Sequence, residues 1–239
     1  MPEMRSRVLL VSPHLDDAVF GCGALLAASD ETIVCNVFTG SPEEDLTTDW
    51  DLHCGFSSAH EAMRSRIDED ERALGLLSAR SVNLGFLDSQ YVPHAPESAK
   101  PTRAAIRDAL LHVVREYRPD LLLIPLGLFH SDHALTHFAA CDAWLEYPAL
   151  ACIGYEEGLY RRMRGLVQRR LVDLHGIGID ATPYEAATTN PADAERAHAA
   201  KRNAVQAYTS QLKAFGPGGY DDVFLSERYW TLERCEDGR

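Results

Sequence analysis

The chain has 239 residues, of which 46% are hydrophobic and 25% charged, and its 23 basic and 36 acidic residues give a formal charge of −13. This length and composition are typical of a single globular α/β domain over residues 1–239. The negative field repels phosphate backbones and anionic lipids, so we expect neither nucleic acid nor a membrane as a partner. No apolar run reaches the roughly 20 residues that a membrane-spanning helix needs.

The start of the chain and its cysteines both favour a cytoplasmic protein. The polar lead MPEMRSR runs into VLLVSP, an apolar run too short for a secretory signal, which predicts a first strand. The six cysteines form no CxxC pair, and Cys35, Cys141 and Cys152 lie in apolar surroundings. This pattern favours buried thiols in a reducing compartment over a disulfide framework or a zinc–cysteine site.

Apolar runs of strand length alternate with segments of helical period in the first half of the chain. This alternation predicts a Rossmann-like, mostly parallel sheet with helices on both faces. The strand candidates are rich in Val, Ile and Leu, as expected of strands buried on both sides. They are residues 8–12, 32–38, 81–86 and 121–126. The helix candidates are residues 23–28, 58–77 and 103–117.

The second half of the chain is less regular. Residues 148–155 are a candidate fifth strand, and residues 171–179 a further short one. Residues 192–215 predict one long helix, with Asn190 as its cap and Pro191 at its first position.

Two polar clusters each follow a buried strand. SPHLDD (12–17) comes after the first strand, and LGLFHSDH (126–133) after the fourth. In open parallel sheets, ligands bind beyond the carboxyl ends of the strands, near the point where the strand order reverses. If these two strands flank that point, the clusters face each other across one crevice.

Three side chains of these clusters form a candidate metal site. His14 and Asp17 are spaced i, i+3 and project to one side of a turn, and His133 approaches from the other cluster. Two imidazoles and one carboxylate suit zinc with one position left open, although iron, manganese or cobalt could occupy the same site. Such a metal lowers the pKa of water and polarises a carbonyl. Asp16 lies between two ligands in sequence, points differently and is the candidate general base.

The second cluster offers two further catalytic candidates. His130 could stabilise an oxyanion or protonate a leaving amine, and Asp132 could orient His130. A lone His-x-x-His would more often be a surface turn, but the position of both clusters after buried strands favours a catalytic site. His137 is interpreted as packed against its own helix. FGCG (20–23) is an incomplete dinucleotide fingerprint, so we expect no nucleotide cofactor.

SPHLDDAVFGCG together with FHSDH resembles the LmbE-like, or PIG-L, N-acetylglucosamine deacetylases. RIDEDERALGLLSA, NLGFLDSQY, KRNAVQAYTSQL and SERYW extend the likeness over most of the chain. The resemblance implies a Rossmann-like sheet and a metal held by His14, Asp17 and His133. It also implies Asp16 as the base and His130 as the oxyanion stabiliser.

The resemblance further implies that Arg66 and Asp88 hold hydroxyl groups of the substrate. A guanidinium donor and a carboxylate acceptor suit a polyol. The alternative is that Arg66 makes a surface ion pair with Glu69 or Asp70 and that Asp88 only ends a strand. The chain departs from the family at two positions, since Leu15 and Ala18 replace a frequent proline and glutamate. Ala18 removes an acidic group that could help to orient the ligands.

The leading hypothesis is a zinc-dependent deacetylase that hydrolyses the N-acyl amide of a small amino-sugar substrate. An amidase for another acyl group or for a thiol-sugar conjugate would use the same residues, and the long connections at 40–57 and 87–101 would decide between them. A non-catalytic metal- and sugar-binding module would not need Asp16, and a nucleotide-binding Rossmann protein would not need metal ligands. The sequence leaves open the natural substrate, the physiological metal and whether the chain forms a homo-oligomer.

Overall fold

The computed structural model describes residues 7–184 and 190–235, so the polar lead at residues 1–6 lies outside it. Its strands are β1 (Arg7–Ser12), β2 (Glu31–Asn36), β3 (Ala79–Asn83), β4 (Leu121–Pro125), β5 (Ala151–Tyr155), β6 (Ile179–Tyr184) and β7 (Tyr229–Arg234). They form a seven-stranded sheet in the order β3-β2-β1-β4-β5-β7-β6. The first five strands pair in parallel, and β7 is antiparallel to both neighbours. The predicted mostly parallel α/β fold is confirmed.

Helices cover both faces of this sheet. They are α1 (Asp17–Ala27), α2 (Asp49–Cys54), α3 (Ala59–Leu76), α4 (Arg103–Tyr117), α5 (Ser131–Leu145), α6 (Leu166–Gly176), α7 (Pro191–Val205) and α8 (Thr209–Phe215). Leu9 and Val11 of β1 pack in the core beneath α4, α5 and α6, whereas Val8 and Leu10 pack beneath α1, α3 and α7. Within residues 7–184 and 190–235, no helix combines the length and apolarity needed to cross a bilayer.

The predictions for the first half of the chain are largely confirmed. Three predicted strands correspond to β1, β2 and β4, and the helices predicted at 58–77 and 103–117 correspond to α3 and α4. In the second half, the strand predicted at 148–155 corresponds to β5. The helix predicted at 23–28 begins earlier, at Asp17. The third strand also lies earlier than predicted, because the chain leaves α3 through Ser78 at φ 58° and turns away again at Gly85 at φ 77°.

The strand predicted at residues 171–179 is wrong, because most of this segment belongs to α6. Val167, Arg170 and Leu174 are the buried residues of α6, and their spacing is that of one helical face. The strand β6 begins only where the helix has ended. The two long connections also hold structure of their own, including α2 and two short 3₁₀ helices.

The single long helix predicted at residues 192–215 is interrupted. Asn190 caps α7 as predicted, with its side chain accepting a hydrogen bond from the Ala192 amide. The chain leaves the helical conformation at Tyr208, at φ −82° and ψ 56°, before α8 begins. The Tyr208 hydroxyl donates to Asp70 Oδ1 on α3 at 2.7 Å. This buried contact from another helix anchors the break, so local helix propensity could not predict it.

A buried ion pair explains the second glycine of the FGCG segment, Gly23. Lys201 Nζ lies 2.8 Å from Glu227 Oε1 and donates to the Phe20 carbonyl in α1 at 2.9 Å. A Cβ on Gly23 would lie 2.7 Å from the Lys201 side chain. Gly23 therefore allows α7 to approach α1 closely, which is a packing role.

Candidate active site

The two polar clusters meet where the strand order reverses. The chain runs from β1 outward through β2 and β3 and then returns to β4, which pairs with the other side of β1. His14 and Asp17 follow β1, and His133 lies in the first turn of α5, just beyond β4. This is the crevice in which open parallel sheets bind ligands.

Three candidate ligands converge in this crevice. The Oδ2 atom of Asp17 lies 3.2 Å from His14 Nδ1 and 3.2 Å from His133 Nε2. One donor atom from each of the three residues lies within 4.8 Å of the other two. All three residues are buried. Two imidazole nitrogens and a carboxylate oxygen in this arrangement fit a divalent metal such as zinc.

Each imidazole of this set directs its other nitrogen to an outer carboxylate. His14 Nε2 lies 3.2 Å from Asp132 Oδ2, and His133 Nδ1 lies 3.3 Å from Glu157 Oε1. Such a partner fixes the tautomer and the orientation of a ligand histidine. Asp132 is 3.9 Å from His130 Nδ1, so its geometry suits the orientation of His14 better than the expected orientation of His130.

The surroundings of the three candidate ligands are strongly acidic. Burial opposes a charge on His133, yet Asp17 raises the pKa of that imidazole to about 9. Burial likewise opposes a charge on His14, but hydrogen bonds with Asp132 and Asp17 raise its pKa well above its ordinary value. Burial and the adjacent Asp17 raise the pKa of Asp16 to about 6. An environment that attracts protons this strongly also suits a divalent cation.

The candidate ligands line a cleft of about 410 Å³. Asp16, Arg66, Asp88 and His130 line the same cleft, so the structure brings together most of the predicted site residues. Asp132 lies just behind them, at the His14 ring. The side chain of His130 is 35% exposed, and burial together with the neighbouring His14 lowers its pKa.

Arg66 is buried with almost no partners. It is only 5% exposed, and none of its side-chain hydrogen-bond donors has an acceptor among the described residues. The carboxylate of Asp88 lies 3.7 Å from its Nη1 atom. The alternative of a surface ion pair with Glu69 or Asp70 is wrong, because Arg66 is buried and those carboxylates accept from Ser210 and Tyr208 instead. A buried guanidinium with unused donors requires a polar partner, which a water molecule or a ligand in the cleft can supply.

Glu157 is a residue of the site that was not predicted from the sequence. Its Oε1 atom accepts hydrogen bonds from the Gly127 and Leu128 amides at 2.7 and 2.8 Å as well as facing His133. The sequence feature that could have identified Glu157 is its position just after β5, which lies beside β4 and ends at the same edge of the sheet. Ala18, which replaces a glutamate frequent in the family, is fully buried in the core beneath α1.

The His-Asp-His set at the switch point of this mostly parallel α/β sheet has the three-ligand pattern of catalytic zinc sites, as found in metal-dependent hydrolases. The model of the family described as PIG-L, GlcNAc-PI de-N-acetylase, matches residues 9–144, and the chain belongs to this family. The resemblance that the motifs indicated is thereby confirmed.

Several relatives cover nearly the whole chain. The 2'-N-acetylparomamine deacetylase of Streptomyces fradiae is 28% identical over 260 residues, which cover 95% of this chain and 90% of that protein. The crystal structure of the A40926 pseudoaglycone deacetylase matches with a TM-score of 0.75 at 24% identity, over 98% of this chain and 100% of that one. The zinc-inhibited form of teicoplanin deacetylase matches with a TM-score of 0.77 at 22% identity, over 97% and 100%. These structural matches show that the fold is shared.

Proposed function

We propose that this protein is a metal-dependent deacetylase that hydrolyses the N-acetyl amide of an amino-sugar substrate. The observation that carries the proposal is the convergence of His14, Asp17 and His133 in one cleft with Asp16. A binding module would need the ligands but not a further buried carboxylate beside them. Membership of the PIG-L family and the 2'-N-acetylparomamine deacetylase relative support the same activity.

His14, Asp17 and His133 would hold the cation, and zinc is the first candidate for such a set of nitrogen and oxygen donors. Iron, manganese and cobalt accept the same ligands. When bound, the cation supplies Lewis-acid chemistry, because it lowers the pKa of a water molecule and polarises the amide carbonyl.

The remaining residues handle protons, charge and substrate. Asp16 accepts a proton from the attacking water and returns it to the leaving amine, so that water and the amide become acetate and a free amine. His130 donates a hydrogen bond to the oxygen that becomes negative in the tetrahedral intermediate. Arg66 and Asp88 hold hydroxyl groups of the sugar, which would supply the acceptors that the buried guanidinium lacks.

The cellular compartment of the enzyme and its single-domain organisation are also proposals. All six cysteines are free, and five are buried, which supports a reducing compartment and hence the cytoplasm. One continuous sheet runs through the described residues and supports a single domain over residues 1–239.

The test is metal content together with acetate release from a panel of N-acetylated sugars. We expect one tightly held cation per chain, and Asp16→Asn should lower kcat about 10²–10⁴-fold while the cation stays bound. Asp108→Asn, at an exposed position on α4, is the matched control and should change neither quantity. The metal content should be measured in a Cys235→Ser background. Otherwise His175, Asp180 and Cys235, a second group with the geometry to hold a metal ion, could contribute to it.

Two outcomes would count against the proposal. If His14→Ala and His133→Ala bind the cation as tightly as the wild type, the metal site is misplaced. If the cation binds at these residues but no sugar in the panel releases acetate, a different acyl substrate or a binding module becomes the better interpretation.

A further inference from the structure

The cleft has an aromatic wall that the proposed chemistry does not use. Trp50 of α2 and Phe215 of α8 both line it, together with Asp16 and Arg66. Their ring centroids are 5.6 Å apart with an interplanar angle of 57°, so the two rings pack against each other. Both side chains are half-buried. A large aromatic surface is therefore presented to ligands inside a site whose other chemistry is polar.

The helix that carries Trp50 is short, but both of its ends are capped by hydrogen bonds. α2 has six residues and begins with a capping box, in which the Thr48 hydroxyl accepts from the Asp51 amide and the Asp51 carboxylate accepts from the Thr48 amide. Gly55, at φ 95°, ends the helix in the left-handed conformation. These contacts satisfy both helix ends and fix the backbone of the helix that carries the indole.

The same helix is tied to the segment that carries Asp88. The Thr48 hydroxyl donates to Gln90 Oε1, and Gln90 Nε2 donates to Asp88 Oδ2 at 3.1 Å. The Tyr91 hydroxyl donates to Asp51 Oδ1 at 2.8 Å. The helix that carries Trp50 and the carboxylate of Asp88 thus belong to one hydrogen-bonded unit, so a ligand can contact both without reorganising the loop.

A saccharide ring has the chemistry to fit this wall. Its C–H faces are weakly positive and apolar, and they stack on the negative face of an indole, while its hydroxyls need polar partners at the ring edge. Gln90 and Gln211 line the cleft beside Trp50, and no described residue donates to the Oε1 atom of Gln211. The apolar face and the polar edges of a sugar ring would both be satisfied here.

We propose that Trp50 is a specificity-determining residue, on which stacks a second ring joined to the N-acetylated sugar, so that the enzyme selects substrates with two linked rings over monosaccharides. The inference rests on the proposed function, in which Arg66 and Asp88 already hold the N-acetylated ring. A cleft of about 410 Å³ lies in the range that encloses ligands larger than one small ring.

The experiment compares Trp50→Phe, Trp50→Leu and Trp50→Ala on N,N'-diacetylchitobiose and on N-acetylglucosamine. We expect Trp50→Ala and Trp50→Leu to lower the ratio of kcat/KM for the two-ring substrate to that for the one-ring substrate about tenfold, mainly through KM. Trp50→Phe keeps an aromatic face and should retain most of the ratio. Phe224→Ala, which removes an aromatic ring exposed outside the cleft, is the control and should leave the ratio unchanged.

A binding measurement separates this inference from the proposed function. In Asp16→Asn protein, the two-ring sugar should quench tryptophan fluorescence, and the quenching should disappear when Trp50→Phe is added, because Trp144 is buried and Trp230 lies outside the cleft. If no sugar is hydrolysed but this quenching is seen, the deacetylase proposal fails and the stacking role stands. If hydrolysis occurs and Trp50→Leu or Trp50→Ala leaves the ratio unchanged, or if no quenching depends on Trp50, the stacking role is overturned.

Discussion

Each of the two candidate ligand histidines lies between two carboxylates. One ring nitrogen faces Asp17 and the other faces Asp132 or Glu157. The Glu157 carboxylate is itself oriented by two backbone amides that follow β4. At the scale of single residues, the site is therefore built as much from the partners of the ligands as from the ligands themselves.

Glu157→Gln tests this arrangement. Gln can still accept hydrogen bonds from the backbone amides, but it has no charge and cannot hold the His133 tautomer as firmly, so zinc affinity should fall about 10–100-fold. Competition with a chelator of known affinity measures the change. Glu156→Gln is the matched control, because Glu156 is equally buried but hydrogen-bonds to Trp230. Equal losses in both variants would refute a specific role for Glu157.

At the scale of elements, the turn between β4 and α5 places the second cluster. Gly127 has φ 75°, and its amide donates to Glu157. A Cβ at this position would lie 2.6 Å from the Cβ of His137 and 2.9 Å from the His133 carbonyl oxygen. His137 is fully buried and hydrogen-bonded to the Pro125 carbonyl at 2.8 Å, and burial lowers its pKa to about 3. It packs beneath the turn, which supports its interpretation as a core residue.

Gly127→Ala should therefore be costly. The left-handed backbone and the clash together should lower the free energy of unfolding by about 2–5 kcal/mol, measured by urea denaturation. Gly178→Ala is the control, because Gly178 has φ 80° but nothing lies within 4 Å of its Cβ position. There the backbone alone should cost about 1–2 kcal/mol. Similar losses in the two variants would show that packing beneath the turn is unimportant.

At the scale of the whole molecule, the Lys201–Glu227 pair joins distant parts of the chain. It links α7 to the segment before β7, and through the Phe20 carbonyl and the Ala24 amide it also holds α1. Both side chains are almost fully buried, at 3% and 6% exposure. Removal of one partner leaves a buried charge without a counter-charge, which costs far more than the pair contributes when intact.

Lys201→Met should lower the free energy of unfolding by about 3–5 kcal/mol. Adding Glu227→Gln should recover part of that loss, because the uncompensated charge is gone. Arg7→Met removes an exposed pair with Asp120 and should have little effect. Chemical denaturation of the wild type, Lys201→Met, Glu227→Gln and the double variant gives the coupling, and purely additive losses in the double variant would contradict the buried-pair explanation.

Those features of this protein that depend on local pattern could be predicted from its sequence. The apolar runs of β1 and β4 and the amphipathic period of α3 and α4 are properties of neighbouring residues, and their positions were predicted closely. The candidate metal ligands could be named because both clusters follow such strands, and strand order in parallel sheets then brings them together. Family resemblance identified Arg66 and Asp88, which periodicity alone would not have singled out.

The remaining features could not be predicted, because they depend on contacts between residues far apart in sequence. The break at Tyr208 is held by Asp70, and the antiparallel β7 pairs with strands from other parts of the chain. Glu157 faces His133 because β5 lies beside β4, and Trp50 reaches the cleft because α2 packs against α8. Local propensity has no information about such long-range neighbours, and these contacts shape both the metal site and the cleft around it.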